Sequence, residues 1–169
     1  MLYTTFRRAR EAKACPDRYR HFARAVGGVE KYGEDTPIPL SRILTINGLA
    51  DALWALRCVV PKDVAERDSL ARLLACDYAE HVLPLYKQQY PTDRRPHEAI
   101  ETARRFVRGE ASLGELVAAE KAAWAAGATS EAAGAARAAW AAGAAERASA
   151  AEREWQARRL LERLEAGGD

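Results

Sequence analysis

Between Ala111 and Ala151, alanine fills 21 of 41 positions. No other feature narrows the fold of this chain so far. Alanine is the strongest helix former, because it has no side-chain freedom to lose on entering a helix. It also lets two helices approach closely, since only a methyl group stands between them. Such a stretch lacks the branched and aromatic residues that fill a pleated sheet. No other segment shows a sustained alternation of Val, Ile or Thr, so the chain is expected to be all-α.

Proline and glycine then mark out the helices. The first is expected over Thr5 to Ala14, and the second from Pro16 to Val26, where Gly27 and Gly28 stop it. An extended loop from Tyr32 to Pro39 follows, because Pro37 and Pro39 restrict the residues before them. Ser41 is placed to cap a helix running to Val60, with Ile43, Ile46, Ala50, Leu53, Trp54 and Cys58 on one face. The next helix is expected from Val64 to Tyr86, with Leu70, Leu73, Leu74, Tyr78 and Leu85 as its stripe and Pro84 near its end. Pro96 opens a shorter helix that Gly109 closes. Ser112 and Glu115 have capping-box spacing for a helix to Ala126. Thr129 or Ser130 would cap a last helix reaching about Glu165.

At 169 residues the chain suits one domain that buries a core without metal or disulfide. The expected architecture is a single-domain helical bundle. It comprises N-terminal helices and a Pro loop over 1–40, core helices over 41–108 and an Ala-rich helical hairpin over 112–165. The run Ala122 to Gly127 recurs at Ala138 to Gly143. That spacing is no solenoid period, and it reads as drift within the Ala-rich hairpin.

Several function classes drop out on pattern alone. No run of 18 apolar residues occurs without a charge or glycine, so no membrane span is expected. The N-terminus lacks an apolar signal core, so a cytoplasmic location is expected. Cys15, Cys58 and Cys76 are odd in number and have no metal-ligand spacing, so they read as reduced thiols. His21 and His97 lack spaced companions, and neither a phosphate loop nor a nucleophile elbow is present. No metal and no cofactor is expected.

Two polar features stand out. Asp77 and His81 lie four residues apart in the middle of an apolar stripe, where polar groups need partners. They are either an acid–base pair or a hydrogen-bonded pair tying helices together through Arg57 or Asn47. The second feature is basic. Arg7, Arg10, Arg18, Arg20 and Arg24, with Tyr19 and Phe22 interleaved, could meet phosphates, although a solvated helix face accounts for them as well. Arg94 and Arg95 beside Tyr90 form a smaller basic loop. The net charge of +2 predicts only weak, non-specific attraction to nucleic acid.

Five stretches carry a resemblance. They are Gly27-Gly28-Val29-Glu30-Lys31-Tyr32-Gly33, Thr36-Pro37-Ile38-Pro39-Leu40, Asn47 through Arg57, Ala75-Cys76-Asp77-Tyr78-Ala79-Glu80-His81-Val82-Leu83, and Tyr90-Pro91-Thr92-Asp93-Arg94-Arg95-Pro96. Through them, and through a tail ending in Glu152-Arg153-Glu154-Trp155-Gln156, the chain resembles a bacterial and phage family of immunity-like proteins. That family is related to the fifth immunity family of polymorphic toxin systems. The resemblance implies a cytosolic protein that blocks a toxin or effector by direct protein–protein contact and is not a catalyst. It brings no catalytic residue with it. Asn47, Asp51, Trp54, Arg57, Asp77, His81, Asp93, Arg94 and Arg95 lie in these motifs, as a binding site or as a structural network. Two other readings stay open: a phage- or host-encoded nucleic-acid-associated accessory protein using the basic N-terminal helices, and an enzyme built on Asp77 and His81.

Overall fold

The computed structural model describes residues 1–127 and 150–166. The described residues are mostly helical and fall into two compact units, Met1–Leu70 with Ala145–Asp169, and Ala71–Ala144. The expected cap at Thr129 or Ser130, the hairpin turn beyond Gly127 and the repeat around Trp140 lie outside the described residues.

In the first unit, β1 (Tyr3–Thr4) pairs antiparallel with β2 (Ile38–Pro39), Tyr3 facing Pro39 and Thr4 facing Ile38. The sequence showed no strand, because two residues are too few for alternation to register. Pro39 is tolerated on this short ribbon because an edge position does not require its missing N–H. The pairing ties the chain start to distant backbone: Leu40 N donates to Leu2 O (3.1 Å) and Val60 N to Tyr3 O (2.8 Å).

Three helices follow β1. In α1 (Phe6–Glu11), the Thr5 hydroxyl accepts from Arg8 N at 3.2 Å and so occupies one orphan donor of the first turn. Pro16 opens α2 (Pro16–Ala25), and α3 (Val29–Tyr32) is a single turn. The Phe6 ring sits at the centre, 5.3 Å from Tyr19 and 5.7 Å from both Phe22 and Tyr32. Aromatic pairs in such tilted arrangements contribute about 0.5–1.5 kcal/mol each beyond burial.

The single helix expected from Ser41 to Val60 is two helices. They are α4 (Leu40–Asn47), with Pro39 rather than Ser41 at its N-cap, and α5 (Leu49–Ala55). Gly48 separates them at φ +88°, ψ −179°, a conformation essentially confined to glycine. The break re-aims the second half. Leu40, Ile43 and Leu44 are buried on α4, and Leu49, Ala52 and Ala55 on α5, whereas Ala50 is exposed. Two 3-10 turns, Leu56–Cys58 and Pro61–Asp63, end the segment. A later helix, α9 (Ala150–Ala166), packs on α4 and α5 and buries Leu160 and Leu164.

The helix α6 (Val64–Gln89) gives its first residues to this unit and the rest to the second, and it continues past Pro84 and Tyr86. It buries two faces. Leu70, Leu74 and Tyr78 share one, and Cys76, Leu83 and Tyr86 the other, about half a turn away. Leu85, expected on the first face, is 61% exposed. In the second unit, Cys76, Leu83 and Tyr86 meet Ile100 of α7 (Arg95–Val107), with Ala79, Tyr90 and Ala103 packed around them. α7 lies against α8 (Leu113–Gly127). The α8 capping box forms as read: Glu115 N donates to Ser112 Oγ (3.2 Å), and Ser112 N donates to Glu115 Oε2 (2.8 Å). Cys58 and Cys76 are buried, Cys15 is exposed, and none of the three is joined in a disulfide.

Candidate functional site

Many of the residues singled out in the sequence fall into four polar clusters, two in each unit. The first begins with the end of α4, whose last carbonyls have no partner within the helix. α2 supplies one. Arg18 Nη2 donates to Asn47 O, and Arg18 Nε donates to Asp51 Oδ2 at 2.7 Å. Asn47 Nδ2 returns bonds to Arg18 O (3.0 Å) and Asp51 Oδ2 (2.6 Å). His21 Nε2 lies 3.3 Å from Ile46 O. Arg18, Asn47 and Asp51 therefore clamp α2 to the corner between α4 and α5. Asn47 Oδ1 is buried without a hydrogen-bond partner. Farther along, the Arg57 guanidinium lies 6.0 Å from the centre of the half-buried Trp54 ring.

The second cluster joins α1 to the loop after α3. Arg7 grips Asp35 with two bonds, 2.7 and 2.8 Å, and comes within 3.2 Å of Glu34, which also pairs with Arg10. The Arg7 hydrogen bond holds the Asp35 carboxyl below its usual range. Arg20 pairs with Asp17 one turn back on α2, and Arg24 is exposed. Of the five arginines read as a basic surface, Arg7, Arg10, Arg18 and Arg20 each face a carboxylate.

In the second unit, Asp93 organises the loop between α6 and α7. Its Oδ1 accepts from Arg95 N (3.0 Å) and Nε (2.9 Å). Its Oδ2 accepts from Arg95 Nη2 (2.6 Å) and from the Tyr86 hydroxyl (2.6 Å). The Arg95 side-chain bonds hold Asp93 far below the usual carboxylate range. Burial, then the Asp93 bond and charge, push the Tyr86 hydroxyl up to about 12. Arg94 lies 3.6 Å from Glu98 on the outer side of α7.

The fourth cluster contains Asp77. Its carboxylate is buried and accepts from Arg104 Nη2 of α7 at 3.0 Å, and the same nitrogen reaches Glu80. His81, expected on the core face with Asp77, is exposed. Sequence reasoning missed Arg104. The only local signal was the pairing of Asp77 with Glu80, one turn apart on α6, facing an Arg-bearing helix.

All four clusters engage carboxylates with guanidinium groups and lock adjacent elements together. Among the described residues, no three His, Cys, Asp or Glu side chains converge to hold a metal. No helix among them is long and apolar enough to cross a membrane. α8 carries an apolar feature that the sequence reading did not single out. Leu113, Val117 and Trp124 are 62%, 39% and 54% exposed, and they fall within about 40° of one another around the helix axis.

The family described as "Imm-5 like putative immunity protein" matches residues 64–148, 85 of the 169 residues in the chain. The match starts at the first residue of α6 and takes in α7 and α8. The motifs around Asp77 and Asp93 fall inside it, and those around Gly27, Thr36 and Asn47 precede it. No curated protein and no solved structure matches the chain.

Proposed function

We propose, from the premise that this chain belongs to the Imm-5 like immunity protein family, that it is a non-enzymatic cytoplasmic inhibitor. It neutralises a toxin or other effector by direct protein–protein binding. The family match across α6, α7 and α8 carries this reading. The polar clusters support it from the physical side. Asp77, Asp93 and Asp51 are each held by an arginine, which suits side chains that brace a surface. A braced surface loses little side-chain freedom on association, and that loss is one of the main costs of binding. A specific interface would bury roughly 1,200–2,000 Å² in total.

The nucleic-acid reading gains no support from the N-terminal helices. Arg7, Arg10, Arg18 and Arg20 would each have to exchange a carboxylate for a phosphate. The test is co-expression with the toxin candidate encoded beside its gene, scored as growth. The reading expects growth to be restored only when this chain is present. Unrestored growth with every neighbouring toxin candidate would count against it. So would a nanomolar complex with an oligonucleotide that Arg20→Ala abolishes.

A further inference from the structure

We draw no further inference here: the strongest candidate, the exposed apolar stripe of Leu113, Val117 and Trp124 along α8, carries nothing because nothing in the structure shows what covers it.

Discussion

Replacing Asp93 by Asn keeps the shape of the side chain and removes its charge and one acceptor. At present the carboxylate accepts four bonds, three from Arg95 and one from Tyr86. These contributions differ in weight. The Arg95 side chain is 45% exposed, so its ionic arm belongs with the solvent-screened surface pairs and adds little. Tyr86 is buried, and a hydrogen bond to a charged acceptor contributes about 1.5–3 kcal/mol. Because the amide oxygen can still accept one bond, Asp93→Asn should cost about 2 kcal/mol near neutral pH. The sign of the pH dependence follows from the direction of the shift. Asp93 is depressed in the folded chain, so as pH falls the unfolded chain takes up its proton first, near the ordinary value of about 4. The stabilisation is complete above that value and is lost as pH drops through the folded one. Urea unfolding followed by far-ultraviolet circular dichroism, at about pH 7 and about pH 3, reads both effects. The gap between wild type and variant should be present at the higher pH and should narrow at the lower. A gap that is absent at neutral pH, or unchanged between the two, would refute the claim that Asp93 anchors this loop as an anion.

At the other end of the scale, Tyr86→Phe should cost about 1.5–3 kcal/mol near neutral pH, because the lost bond goes to a charged acceptor. Because the Tyr86 hydroxyl titrates at about 12 rather than about 10 as in an unfolded chain, wild-type stability should fall as pH rises between those values. Alkaline unfolding curves should show that fall weakened in the Tyr86→Phe chain. Gly48→Ala should destabilise by about 1–3 kcal/mol through backbone strain alone, since a Cβ there would meet nothing within 4 Å. A thermal melt unchanged by this substitution would mean that the α4–α5 corner does not need its glycine. Of the three thiols, Cys15 should react with a disulfide reagent at once, and Cys58 and Cys76 only on unfolding. Stopped-flow absorbance separates the phases, and two fast thiols would contradict the burial.

The parts of the fold that were legible in the sequence are those written by local chemistry. Ser112 and Glu115 three residues apart specify a capping box, and the reciprocal bonds are present. Pro16 predicts the start of α2 from its missing N–H alone. The corner at Gly48 was not legible, because apolar residues continue in helical register from Ile43 through Leu53. A single glycine inside such a pattern usually costs stability without ending the helix. The strand pair was too short to leave a period. The polar network of α6 was legible only in part. A buried polar residue at Asp77 was visible from its place in the stripe, but its partner Arg104 is 27 residues away on another helix. The spacing of four toward His81 points the other way, to a residue that is exposed. Likewise, the run of N-terminal arginines announced positive charge, while the carboxylates that meet it at Glu34, Asp35 and Asp51 are brought in by tertiary structure.

The stoichiometry of toxin inactivation separates a binding inhibitor from a catalyst. With the purified toxin held at fixed concentration and this chain titrated against it, a binding inhibitor should remove activity in proportion to the complex formed. Inactivation should be complete near equivalence, and the two proteins should co-elute. Inactivation by a small fraction of an equivalent would reveal a catalyst, and full toxin activity in the presence of excess chain would contradict the account outright.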